Sequence, residues 1–196
     1  MTKNLVLATA LASVLAAYSA GGGESTTAAS IVTDSIIVAN EDGGASLLKT
    51  SIDEKLANET PDGPIFTQTA GDTLALSGYD AVAYFTDAGP TEGSADHMVT
   101  YQGFEYRFAS AENAATFAAD PARFAPQYGG YCAWAIGANN ALAPGDPEIY
   151  KIVDGKLYLN FNDDVSKLWH KDIPGFIAKG DVNYPTHDPS EHYTTN

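Results

Sequence analysis

Thiols and cationic side chains are what this sequence has least of. Cys132 is the one cysteine, so the chain forms no internal disulfide and has no Cys-x-x-Cys pair for thioredoxin-type exchange. Ten Lys and Arg stand against 25 Asp and Glu, a formal charge of −15. A surface of that sign repels phosphate backbones and anionic membranes, which argues against nucleic acid as a partner. Long apolar runs are missing as well. The one uncharged stretch near the start, Leu5 to Ala17, falls short of the ~20 residues a spanning helix needs, so the chain is not expected to cross a membrane. No Gly-x-Ser-x-Gly, phosphate loop, dinucleotide fingerprint or His-Glu-x-x-His occurs, and Asp163-Asp164 lacks the spacing and closing Glu of an EF-hand.

Aromatic residues, by contrast, are plentiful. Eleven Tyr, eight Phe and two Trp are enough for a core that needs neither disulfides nor a structural metal to fold. The N-terminus carries Lys3, the apolar run, and then small residues at Ser19, Ala20 and Gly21 to Gly23. This is the layout of a secretory signal peptide, residues 1–20, with cleavage expected near Ala17 to Ala20. Leu15-Ala16-Ala17 resembles a lipobox, but Tyr18 occupies the place of the lipid-bearing cysteine. Soluble export to the periplasm or the medium is therefore the expectation, and lipid attachment is not.

Residues 21–65 are rich in Gly, Ser, Thr, Ala and Asp and read as a tether or arm. Within them Ile31-Val32 and Ile36 to Val38 suggest a brief strand, and Leu47 to Leu56 a brief helix. From residue 66 to 185 the pattern becomes that of a folded domain. Ala81 to Phe85 is a compact buried run. Met98 to Gln102 and Phe104 to Ala109 flank Gly103, and Phe104, Tyr106 and Phe108 alternate with Glu105 and Arg107, the period of a half-buried strand. Ser110 is placed to cap a helix running to about Ala119, with Glu112 in its first turn and Asp120-Pro121 as its stop. Ala114, Phe117 and Ala118 share its inner face. A second hairpin, Tyr150 to Val153 and Lys156 to Phe161, turns on Asp154-Gly155, the pair suited to a type I′ turn. A helix from about Val165 to Lys179 follows, with a kink or a break expected before Pro174. The tail, 186–196, is polar and expected to fray. Two β-hairpins packed with two or more helices, without βαβ alternation, make an α+β domain.

Three stretches resemble the YHS domain family in its longer, exported bacterial form: Gly78 to Phe85, Tyr106 to Asn113 with its continuation to Phe124, and Ala125 to Ala133. A further likeness runs from Gly145-Asp146-Pro147 into the Asp154-Gly155 hairpin, so the resemblance spans about residues 70 to 185. It implies a small α+β module of a kind found beside heavy-metal transport and metal-responsive proteins and suspected of binding metal. The metal-associated members carry more than one cysteine. Here those places read Gly78-Tyr79-Asp80 and Phe108-Ala109-Ser110, so an all-thiolate site is not available.

Any metal would rest on other donors. Cys132 lies after Gly129-Gly130-Tyr131, and His97 stands just before Met98. One thiol with a His-Met pair suits copper, or failing that zinc, with Met98 or Tyr79 as a third contact. Against this, Cys132 also reads as a small buried hydrophobe and His97 as an exposed turn residue. His170, His187 and His192 read as surface residues, and Asp80, Asp146 and Asp163-Asp164 as turn or cap residues. Tyr128, Tyr131 and Trp134 suit either core packing or the floor of a small-molecule pocket. The leading expectation is an exported module handling a transition metal through His97, Cys132, Met98 and Tyr79. The rival is a metal-free structural or interaction domain with another envelope protein as partner. A thiol-dependent enzyme using Cys132 is the remote third.

Overall fold

A computed structural model describes residues 29–32, 35–38 and 53–194. The chain divides into two units, Met1–Lys49 and Thr50–Asn196. The expected signal peptide lies outside the described residues, as does most of the helix expected over Leu47 to Leu56. In the first unit, β1 (Ala29–Val32) and β2 (Ser35–Val38) pair antiparallel, with Ile31 opposite Ile36. The β-branched residues expected to extend do so.

The second unit has the expected α+β architecture. It opens with a helical turn at 53–57, whose Leu56 is buried and whose Leu56 carbonyl accepts from the Gln102 amide at 2.8 Å. Ile65, Phe66 and Thr67 are buried too, so the folded part begins earlier along the expected tether than its low-complexity composition suggests. Short 3-10 turns at Ala75–Gly78 and Ala83–Phe85 bracket the buried run from Asp80 to Tyr84.

The first hairpin joins β3 (Ser94–Tyr101) to β4 (Phe104–Phe108), with Val99 opposite Tyr106 and Tyr101 opposite Phe104. Gln102 and Gly103 between them both take positive φ, 53° and 82°, as a two-residue hairpin turn requires. Tyr106 and Phe108 point inward, while Arg107 Nε and Glu105 Oε1 pair at 2.6 Å on the other face. α1 (Ala111–Ala119) follows, its Ser110 cap accepting from the Asn113 amide at 3.1 Å. Phe117, fully buried, stacks on Tyr106 at 4.8 Å between ring centroids. α2 (Pro121–Phe124) and a 3-10 turn at Gln127–Gly130 lead to α3 (Ala133–Asn139), which ends at Asn140 in the left-handed region.

The second hairpin pairs β5 (Asp146–Val153) with β6 (Lys156–Asn160) around Asp154 and Gly155, at φ 50° and 74°. Alternation along β6 does more than cover one face. Leu157 and Leu159 enter one apolar cluster, with Tyr106, Phe108 and Phe117, while Tyr158 between them enters a second, with Tyr131, Ile136 and Trp169. The strand is thus a wall between two cores, both of its faces buried. α4 (Asp163–Trp169) is capped by Asn162, and α5 (Ile173–Asn183) by Asp172. The expected break before Pro174 is present: the residue lies in the first turn of α5, where a missing amide proton costs nothing.

The tail differs from the frayed segment expected. His187 bridges Glu191 and Asn140, at 2.9 and 3.1 Å, and His192 reaches the Thr67 carbonyl at 2.9 Å while its ring lies over Phe66. Polar composition hid these contacts because they are made by hydrogen bonds rather than by apolar burial. Among the described residues no helix is long and apolar enough to cross a membrane.

Candidate functional site

The residues expected to hold a metal come from three parts of the chain: Tyr79 after the first 3-10 turn, His97 and Met98 in β3, and Cys132 at the start of α3. Cys132 caps the N-terminus of α3 and is completely buried. Its thiol lies 3.7 Å from Asn160 Oδ1, which also accepts from the Trp134 amide at 3.2 Å. Burial raises the thiol above its ordinary range, opposed by the backbone amides of Ala135, Phe161 and Trp134. A group held protonated, without solvent access and facing a carboxamide is a poor thiolate ligand and a poor nucleophile. His97 sits half-buried in the irregular stretch of β3 between Ser94 and Met98, and Met98 is 45% exposed. Tyr79 donates from its hydroxyl to Glu148 Oε1 at 2.9 Å, which raises the phenol. Among the described residues no three His, Cys, Asp or Glu side chains come together as a metal-holding group. A buried thiol held protonated does not suit copper or zinc, which take a deprotonated sulfur.

Asp80 is the most heavily bonded polar side chain in the core. It is fully buried, and its Oδ1 accepts from the amides of Val82 and Ala83 at 2.8 and 3.1 Å. Oδ2 accepts from the Ala109 amide at 2.9 Å and from Asn113 Nδ2 at 2.7 Å. One carboxylate therefore ties the Ala81 to Tyr84 run to the junction of β4 and α1. All four bonds go to the protein itself, so Asp80 is a structural pin with no lone pair aimed at a substrate. Asp146 closes a local turn on the Glu148 amide in the same way, at 2.9 Å.

What remains is a concavity of about 510 Å³ walled by tyrosines: Tyr101, Tyr106, Tyr128 and Tyr184, with Asp62 and Asp181 beside them. Tyr101 and Tyr106 come from the two strands of the first hairpin, ring centroids 6.2 Å apart. Tyr128 and Tyr184 form a second pair at 5.6 Å. The Tyr128 backbone is left-handed, φ 55°, and the next residue, Gly129, takes φ 59°. A Cβ on Gly129 would meet the Pro64 carbonyl and stand 2.7 Å from the Tyr184 hydroxyl, so glycine alone lets these segments close. The Tyr128 hydroxyl donates to Asp181 Oδ1 at 3.0 Å, with the Ile177 carbonyl a second acceptor at 3.2 Å, and Tyr184 donates to the Pro64 carbonyl at 3.0 Å.

Tyr106 is different. Its side chain is 1% exposed, and its hydroxyl finds no hydrogen-bond partner among the described residues; burial and the neighbouring Tyr101 alone act on it, both raising the phenol. Burial likewise raises Tyr101, Tyr128 and Tyr184, with acidic neighbours adding to it in each case. All four phenols therefore stay protonated at neutral pH. No Lys, Arg or His lines the concavity.

Of the aromatics singled out in the sequence as a possible pocket floor, Tyr128 lines this concavity, whereas Tyr131 is fully buried and, with Trp134, belongs to the second apolar cluster. Asp62, Tyr101, Asp181 and Tyr184 carried no sequence signal beyond the abundance of Tyr and Asp. Comparison of the chain with family models, with curated proteins and with solved structures gives no match.

Proposed function

We propose that the chain is an exported, YHS-like binding module without catalytic activity, and that its ligand site is the tyrosine-lined concavity rather than Cys132. One observation carries this reading: a concavity of about 510 Å³, of ligand size, is lined by Tyr101, Tyr106, Tyr128 and Tyr184 together with Asp62 and Asp181. An apolar hollow of that size with a few polar groups in its wall is the usual form of a small-molecule site. Burial of Cys132 against Asn160 supports a packing role for the thiol and speaks for the metal-free reading over copper or zinc at Cys132 and His97.

A fragment screen by protein-observed NMR on the mature chain tests the proposal. Binders are expected to shift resonances of Tyr101, Tyr106, Tyr128 and Tyr184. Shifts confined to the surroundings of Cys132 and His97, above all on adding Cu(I) or Zn(II), would return the site to the metal-handling alternative.

A further inference from the structure

We infer that the C-terminal tail, His187 to Tyr193, is a proton-dependent latch that closes over Phe66. This does not rest on the concavity being a ligand site. The tail holds on through two histidine rings, and all four ring nitrogens face oxygen atoms. His192 Nε2 lies 2.9 Å from the Thr67 carbonyl oxygen, and its Nδ1 lies 3.1 Å from that of Tyr193. His187 Nδ1 lies 2.9 Å from Glu191 Oε2, and its Nε2 lies 3.1 Å from Asn140 Oδ1. A neutral imidazole has one donor and one lone pair, whereas the imidazolium has two donors. In neutral His192 the lone pair would confront a backbone carbonyl, which has no proton to offer. The cation satisfies both carbonyls at once, with charge-assisted bonds. Neutral His187 keeps both partners by a rotation of the Asn140 amide, which makes His192 the stricter sensor.

The groups around the two rings favour the cationic form. On the tail's own side stand the carboxylates of Glu191 and Asp188 and the ring of Tyr193, 4.8 Å from that of His192. The His187 bond, and after it the Asp188 amide, hold the Glu191 carboxyl below its usual range. From the domain, the groups facing the rings are neutral. They are Phe66, stacked on His192 at 6.3 Å, the Thr67 hydroxyl at 3.5 Å, and Asn140. Tyr131, edge-on to Phe66 at 5.5 Å, has its phenol pushed up to about 12 by burial, with the Tyr193 backbone opposing. The docked tail therefore binds more protons than the loose one. Docking is complete where a free imidazole is already protonated, below about pH 6, and weakens as pH rises beyond that. Phe66 is 3% exposed with the rings of His192 and Tyr193 against it, so opening the latch bares an aromatic face.

The test is NMR of the full chain between about pH 5.5 and about pH 8.5, a window that brackets the ordinary imidazole. At the acid end the imidazole spectrum of His192 is expected to show protons on both ring nitrogens, with the amides of residues 187–193 as rigid as those of α5. Toward the alkaline end the share of loosened tail is expected to grow about tenfold, the worth of one charge-assisted hydrogen bond. His192→Gln should loosen the tail at both ends of the range and remove most of the pH response, while resonances of β6 and α1 stay in place. His187→Gln should loosen it less. A wild-type tail equally rigid across the range would overturn the latch. So would a docked His192 with a single protonated nitrogen at the acid end, or a His192→Gln chain that keeps the full pH response.

Discussion

At the scale of single residues, two buried polar groups define what the core does and does not do. Cys132 is shielded and protonated, so in the native chain it should react with a thiol reagent such as DTNB far more slowly than in urea. Rapid native labelling would reopen both the thiol-enzyme and the metal-ligand readings. The sign of its pH effect follows from the same burial. The folded thiol holds its proton past the pH at which the unfolded one lets go, so its contribution to stability is whole below about pH 8.5 and declines as pH rises toward the raised folded value. Cys132→Ala should flatten that alkaline loss. Asp80 carries a different prediction. Replacing it with Ala strands four donors, Val82, Ala83, Ala109 and Asn113, and should cost about 3–5 kcal/mol in urea unfolding. Asp80→Asn keeps one oxygen for the Val82 and Ala83 amides and should recover part of the loss. A cost near zero for the Ala variant would mean the carboxylate is not the pin described.

At the scale of elements, most of the fold could be read in advance where local chemistry decides it. Asp154-Gly155 turned as its positive-φ preference demands, Ser110 capped α1, and Pro174 separated α4 from α5. α3 was not foreseen. Its seven residues, Ala133–Asn139, are too few to show a helical period, and they follow a glycine pair that reads as a turn. The double burial of β6 also escaped, because alternation tells which residues share a face and not what covers the second face. Gly180 in α5 shows tertiary contact overriding propensity. In an exposed helix Gly→Ala gains about 1 kcal/mol. Here a Cβ would stand 2.5 Å from the Tyr128 hydroxyl, and crowding of that kind costs about 1–3 kcal/mol. Gly180→Ala should therefore destabilise the chain in urea and displace Tyr128 from the pocket wall. A more stable variant would show that the helix and Tyr128 are less closely packed than described.

At the scale of the whole molecule, the candidate site was the least legible part. Its walls come from residues 62, 101, 106, 128, 181 and 184, which share no period or motif and meet only once the first hairpin, the Gln127–Gly130 turn and α5 are in place. The sequence pointed instead to Cys132 and His97, since rare residue types attract notice. Rarity was no guide to access, since Cys132 is completely buried, and the abundant residue type, tyrosine, lines the concavity. The excess of 25 acidic over ten basic residues acts at this scale too, surrounding the pocket with a field that favours cations at its mouth.

The account turns on the tyrosine-lined concavity being a ligand site, and a fragment screen by protein-observed NMR on the full chain addresses that claim most directly. Binders are expected to shift the resonances of Tyr101, Tyr106, Tyr128 and Tyr184 together. Binders that leave all four tyrosines unmoved and gather around Cys132 and His97 instead would contradict it.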